Sequence, residues 1–401
     1  MSTEDRREVD SSPSGSTPPP SRPSPRRAWI EVDLDAIAAN VRRLAELARP
    51  ARLMAVVKAD GYGHGAVAVA RCALGAGAAA LGVATTPEGL ALRRAGIRAP
   101  ILVLGVEGAA EPLPELVAAG LTATVTTLPF ARRLAAEAAR QGRRVPVHLK
   151  VETGMGRLGA LPEEAPALAR WVASSGGLEL EGVYSHLATA DEPDRSYMDE
   201  QARRFAAVLE AIAAQGVTVP LRHLANTAGL LAAPELRYDL VRVGLGIYGY
   251  CPAPHLAGRV PLRPALRLLA EAAEVRRLPA GAGIGYGRTH VLSRPATVVT
   301  LPVGYADGFT RRLSHRARAV WKGRVYPVVG RICMDQCMVE TGEDTPPVGA
   351  VMCLLGPGEE GEMTVEEAAR LTGSIPYEIV TQLGPRLDRV YVGGAPDAPA
   401  L

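Results

Sequence analysis

The chain has 401 residues, 47% of them hydrophobic and 22% charged, which is enough for one large domain or two ordinary ones around a substantial core. Its 45 basic and 42 acidic residues nearly cancel to a net charge of +3, and the basic ones are scattered through helical stretches, which argues against nucleic acid or a membrane surface as a partner. Only three of the 45 are lysine, Lys58, Lys150 and Lys322, and these mark the places to look for an amine that must lose a proton and attack a carbonyl carbon.

Residues 1–27 are Ser, Pro and charge without apolar periodicity and are expected to form a disordered tail. The start lacks the basic and apolar segments of a signal peptide, and no apolar run approaches the roughly 20 residues of a membrane span. Five cysteines, none in a C-x-x-C pair, fit a reducing cytoplasm better than a disulfide framework. Residues 28–34, with the alternating WIEVDL, predict a strand that joins the C-terminal domain. Asp35 then caps a helical run ended before Pro50.

From there to residue 263 short apolar runs alternate with amphipathic helices. Strand candidates are 53–57, 80–84, 100–105, 122–125, 145–152, 180–187, 221–226 and 238–244, the last seven each following a helical stretch. Continuous apolar strands separated by helices predict a parallel sheet buried on both faces, and eight such units match a (β/α)8 barrel over 35–263. A doubly wound open sheet is the structural alternative. Residues 264–401 read as strands between Gly and Pro turns, a mainly β domain with one clear helix at 364–373, opened by Thr364 and Glu367.

Catalytic groups of such a barrel collect at the carboxyl ends of the strands. Lys58 stands there in AVVKADGYGHG, near Tyr62 and His64; a solvated rim charge is the plain reading, and Schiff-base chemistry the sharper one. Lys150 ends another strand before VETGMGRLG, whose Arg157 suits a carboxylate. Two such cations repel, so Lys150 either pairs with Glu152 at the surface or carries a modification that removes its charge. His186 at a strand end is by itself as compatible with a core histidine as with a catalyst. Asn226 and Thr227 in HLANTAG, with Arg242, Gly244 and Leu245 in VRVGLG, suggest a phosphate cradle after the last strands. In the β domain, Tyr286, Tyr305, Met334 and Asp335 lie in glycine-bounded segments that turn chemistry alone would explain.

Together AVVKADGYGHGA, KVETGMGRLG, SHLATAD, HLANTAG, VRVGLGIYG, IGYGRTH, VGYADG and GRICMDQ resemble the alanine racemases, in the family's order from about Trp29 to Tyr391. The resemblance implies a pyridoxal 5'-phosphate enzyme that interconverts L- and D-alanine and supplies D-alanine for peptidoglycan. Lys58 would be the Schiff-base lysine and the base on one face of the substrate. Tyr286 would be the base on the other face, supplied by the second subunit of a head-to-tail homodimer. Tyr62, Thr227, Gly244 and Leu245 would hold the cofactor phosphate, Asn226 would also bind the cofactor, Arg242 would face the pyridine nitrogen, and His186 would fix Arg242. Arg157 would touch cofactor and substrate, Tyr305 and Met334 of the second subunit would form the substrate entrance and carboxylate contact with Asp335 beside them, and Lys150 would be open to carbamylation. In this alignment Pro385 takes the place of a phosphate-binding tyrosine and Asp388 that of a proline. A racemase of another small amino acid such as serine, or a non-catalytic PLP carrier, are the rival readings; the carrier lacks a β domain.

Overall fold

The computed structural model describes residues 27–106 and 110–394; the expected N-terminal tail lies, but for Arg27, outside the described residues. The first strand, β1 (Ala28–Asp33), alternates buried and half-buried residues. The helix that follows, Leu34–Ala48, is capped by Asp33, whose carboxylate accepts the Ala36 N–H at 2.9 Å. The cap is thus two residues earlier than expected, and Asp35 sits in the first turn, where a carboxylate favours the positive end of the helix dipole.

Eight parallel strands then follow: β2 (Arg52–Val56), β3 (Ala80–Val83), β4 (Ile101–Val103), β5 (Thr122–Val125), β6 (Val145–Lys150), β7 (Leu178–Tyr184), β8 (Leu221–His223) and β9 (Leu240–Val243). Each pairs with the next up to β8, and β9 returns to pair with β2. Between β8 and β9 no ladder forms, but the Asp239 N–H reaches Arg222 O and the Arg242 N–H reaches Ala225 O, each at 3.0 Å. Sequential order with the last strand against the first is a nearly closed barrel, which excludes the open-sheet alternative.

The C-terminal strands are β10 (Leu266–Glu271), β11 (Glu274–Leu278), β12 (Gly283–Ile284), β13 (His290–Val291), β14 (Ala296–Leu301), β15 (Arg318–Trp321), β16 (Arg324–Val329), β17 (Cys337–Gly342), β18 (Val351–Leu355) and β19 (Asp388–Val392). Apart from the β12–β13 pair they form one sheet with β1, in the order β11-β14-β17-β16-β15-β18-β10-β1-β19. β1 lies antiparallel to β10 and parallel to β19, so the chain's first strand is stitched into its last domain. One buried cluster runs from Ile30 and Val32 through the barrel to Val380 and Leu387. The expected helix is present as Val365–Thr372, with Thr364 accepting the Glu367 N–H. A second one, Pro376–Gln382, was not anticipated, and it places Tyr377 6.0 Å from Tyr62 between ring centroids.

Candidate active site

A cavity of about 640 Å³ opens at the carboxyl ends of the barrel strands, a volume suited to a cofactor or drug-sized ligand. Lys58 and Tyr62 after β2, Lys150 and Arg157 at and after β6, His186 after β7, Asn226 and Thr227 after β8, and Arg242, Gly244 and Leu245 at and after β9 all line it. The helix Pro376–Gln382 and the residue before it close part of the mouth with Ile375, Tyr377 and Thr381.

Lys58 begins a tight left-handed turn directly after β2. Ala59, Asp60 and Tyr62 have φ of 51°, 52° and 53°, a region that non-glycine residues adopt rarely and at a cost of about 1–3 kcal/mol each. Side-chain carboxylates brace it: Glu88 accepts the Ala59 N–H at 2.9 Å and Asp60 accepts the Ala66 N–H at 2.9 Å. The turn aims Lys58 into the cavity, where burial and then the Arg157 guanidinium hold its amine below the ordinary lysine range, against the opposing pull of Glu88. An amine so placed is more readily available as a nucleophile.

Lys150 is 5% exposed, and the surface pair with Glu152 does not form. The Glu152 carboxylate instead accepts the backbone N–H groups of Gly154 and Met155, each at 2.5 Å, and of Arg157 at 3.1 Å, so it shapes the TGMGR loop. Burial opposes the ionised form of Glu152, but these hydrogen bonds prevail and keep its carboxyl below the usual range. Burial, then Arg157 and Arg242, bring the Lys150 amine down to about 8. Its Nζ lies 5.6 Å from the Tyr184 ring centre, and the Arg242 guanidinium lies 5.1 Å from the same ring.

Arg242 is 4% exposed. One terminal nitrogen donates to Ser185 O at 2.7 Å, Leu224 O at 3.0 Å and Nδ1 of His186 at 3.2 Å; the other donates to His223 O at 3.2 Å and Nδ1 of His223 at 3.1 Å. These bonds fix the guanidinium plane and use only the terminal nitrogens, which leaves Nε as the donor for a ligand. Burial lowers Arg242 to about 10, still well above neutrality. Burial and the same guanidinium push His186 well below its ordinary value, so it is a neutral acceptor.

Tyr62, Thr227, Gly244 and Leu245 lie together in the cavity lining, a set of groups able to hold an anion. Gly244 is required there because a Cβ would stand 2.4 Å from the Tyr62 hydroxyl, and Tyr62 cannot retreat while stacked on Tyr248 at 4.9 Å. Thr227 Oγ1 accepts the Gly244 N–H at 3.2 Å, which leaves its own hydroxyl hydrogen to donate. Asn226 caps the short helix from Thr227 by accepting the Gly229 N–H at 2.9 Å.

Tyr286, Tyr305 and Met334 do not reach this cavity; they lie in the C-terminal domain at 71%, 41% and 53% exposure, with Asp335 also exposed. Tyr305 and Met334 share one patch, since the Tyr305 and Ala306 N–H groups donate to Cys333 O and Met334 O. Asp335 accepts from Arg386 at 2.7 Å. Pro385 is exposed and does not line the cavity. Tyr377, not singled out from the sequence, lines the cavity beside Tyr62. Tyr184 and His223 were also missed, though each sits in a segment already singled out.

The family description "Alanine racemase, N-terminal domain" matches residues 32–252, and "Alanine racemase, C-terminal domain" matches 265–391. The chain is 47% identical over 371 residues to the alanine racemase of Symbiobacterium thermophilum, covering 92% of this chain and 98% of that one. It is similar to the crystal structure of alanine racemase from D-cycloserine-producing Streptomyces lavendulae, with TM-score 0.89, 40% identity, and coverage of 93% and 98% of the two chains. It is also similar to alanine racemase from Bacillus anthracis with bound L-Ala-P, with TM-score 0.85, 35% identity, and coverage of 93% and 96%. With both domain descriptions matched and full-length relatives at this identity, the chain belongs to the alanine racemase family.

Proposed function

We propose that this protein interconverts L- and D-alanine by a two-base mechanism on pyridoxal 5'-phosphate, in a site completed by a second copy of the chain. The observation that carries this reading is the cavity itself: a depressed lysine amine, a guanidinium with one free donor and an anion cradle line one space. That donor set fits a phosphorylated aldehyde with a ring nitrogen. Tyr62, Tyr377, Thr227 and the backbone at Gly244 and Leu245 would hold its phosphate, Arg242 Nε its ring nitrogen, and Lys58 its aldehyde carbon. When bound, the cofactor supplies an electron-accepting conjugated ring that delocalises the charge left as the substrate's α-proton departs.

The chain's own residues then do the proton work. Racemisation requires a proton to leave one face of a carbon and another to arrive at the opposite face. The Lys58 amine serves one face. Tyr286 of a second copy serves the other, which accounts for a tyrosine left so exposed on a single chain. Arg242 stays a guanidinium at neutral pH, so it donates a hydrogen bond without surrendering its proton and limits how much charge the ring can draw. Arg157, beside both lysines at the cavity wall, would meet the substrate carboxylate. The relative solved with bound L-Ala-P supports an alanine-sized ligand here, and D-alanine made this way would serve peptidoglycan synthesis. A Lys150 amine brought down to about 8 is open to carbon dioxide, and the carbamate would turn a fourth cation into an anion that orients Arg157.

The test is to follow D-alanine formation from L-alanine, then to mix Lys58→Ala and Tyr286→Phe proteins. Each alone should be inactive. Random reassortment into shared-site dimers should restore about a quarter of wild-type activity, because half the dimers are mixed and each has one intact site. No recovery after verified subunit exchange would overturn the shared site.

A further inference from the structure

Arg242 is a buried cation whose terminal nitrogens bond only to neutral groups, three carbonyls and two imidazoles. A guanidinium out of water is costly unless negative charge reaches it. One path of hydrogen bonds leads from it to a carboxylate. Nδ1 of His223 accepts from Arg242 at 3.1 Å, Nε2 of His223 meets Nδ1 of His148 at 2.8 Å, and Nε2 of His148 meets Oε2 of Glu181 at 3.2 Å.

The proton positions on this path follow from its two ends. Guanidinium nitrogens only donate, so Nδ1 of His223 must be bare and its proton must sit on Nε2. That proton is given to Nδ1 of His148, which therefore carries its own proton on Nε2 and gives it to Glu181, an acceptor only. Both imidazoles are neutral, and all three hydrogen bonds point the same way, the arrangement in which each polarises the next.

The surrounding structure is shaped to hold this chain. Val147 faces Leu180 and His148 faces Gly182, so Glu181 is the extra residue of a bulge in β7, a device uncommon in parallel pairs that re-aims a side chain. Gly182 has no Cβ because one would stand 2.9 Å from both Cε1 and Nδ1 of His148. Tyr184 stacks on His223 at 4.7 Å and 10°, with its hydroxyl 2.8 Å from that of Thr124. The groups facing Glu181 besides His148 are Arg52 and Thr122.

We propose that Glu181 is a positioning residue for this site, its carboxylate holding Arg242 in place for the cofactor's ring nitrogen through the imidazoles of His148 and His223. The proposal rests on the cofactor reading above, and the test separates the two. The full chain, labelled with nitrogen-15 in its seven histidines and studied without cofactor, should show His148 and His223 neutral, with protonated Nε2 and bare Nδ1. Either ring as an imidazolium or as the Nδ1–H tautomer would overturn the chain of donors. In Glu181→Gln an acceptor remains but the charge is gone, so kcat should fall about 2- to 30-fold, KM for alanine should hold, and direct titration should show weaker pyridoxal 5'-phosphate binding. Gly182→Ala, which displaces His148 and leaves the carboxylate, should do the same. If both variants keep wild-type kcat and cofactor affinity, the proposal fails. A wild type that binds no pyridoxal 5'-phosphate would end the cofactor reading, while the cofactor-free spectra would still decide the proton arrangement.

Discussion

Lys150 gives the sharpest test of the electrostatics. Its amine is brought from the ordinary 10.5 down to about 8, by burial first and by Arg157 and Arg242 next, so its charged form is disfavoured in the folded protein by about 3 kcal/mol. The face of Tyr184 returns about 0.5–1 kcal/mol of that. Between pH 8 and 10.5 the unfolded chain binds a proton that the folded one has lost, so stability rises with pH across that window. Below pH 8 both states are charged and the penalty is fully present. Lys150→Met, similar in length and uncharged, should therefore stabilise the cofactor-free, carbon-dioxide-free protein at pH 7 by about 2–3 kcal/mol. That advantage should vanish by about pH 10.5. With only three lysines, carbon-13 labelling at Cε gives three resonances, and Lys322→Arg assigns one of them. A Lys150 signal titrating where a free lysine does, with Lys150→Met no more stable than wild type at pH 7, would refute the reasoning. Bicarbonate should reverse the order, because the carbamate would be an anion among Arg157, Arg242 and Lys58.

Tyr286→Phe should lower kcat by about 10²- to 10⁴-fold, the range of a lost general acid–base, and leave cofactor affinity unchanged; equal loss of cofactor would mean that Tyr286 is not a base. Gly244→Ala puts a Cβ 2.4 Å from the Tyr62 hydroxyl, an overpacking of about 1–3 kcal/mol that should appear as weaker pyridoxal 5'-phosphate binding with an unchanged circular dichroism spectrum. Tyr377→Phe should weaken cofactor binding by about 3- to 10-fold, one hydrogen bond's worth, whereas Pro385→Ala should not; unchanged binding in Tyr377→Phe would take Tyr377 out of the cradle.

The barrel was legible because its strands are buried on both faces and appear as unbroken apolar runs such as LMAVV and TATV. Several expected strands ran one or more residues too far at their carboxyl ends. Val57, Ala84 and Gly105 continue the apolar text of their strands although they already belong to the loops above the sheet. The helix Pro376–Gln382 was illegible because its seven residues include Ile, Val and Thr, poor helix formers that depend on tertiary packing, here against the helix Val365–Thr372 and the turn after β2. The His148–His223 contact was beyond reach for a different reason: 75 residues separate the two, on β6 and β8, and their rings meet only across the intervening β7, where Gly182 has no side chain to keep them apart.

The scarcity of lysine worked as a guide because of what surrounds the two lysines in the cavity. Lys58 and Lys150 both lie in the field of Arg157, and burial lowers both. A guanidinium in either position would keep its proton, since even complete burial leaves Arg242 at about 10. Arginine there would add a permanent charge and provide no nucleophile. Lys322 is the contrasting case: it sits in a left-handed turn with φ of 49° and its amine 5.0 Å from the Trp321 ring centre, a contact that a guanidinium makes as well or better. Its presence asks nothing that only an amine can do. Rarity therefore located chemistry only where it coincided with burial beside other cations, and that coincidence, unlike the count, is a property of the fold.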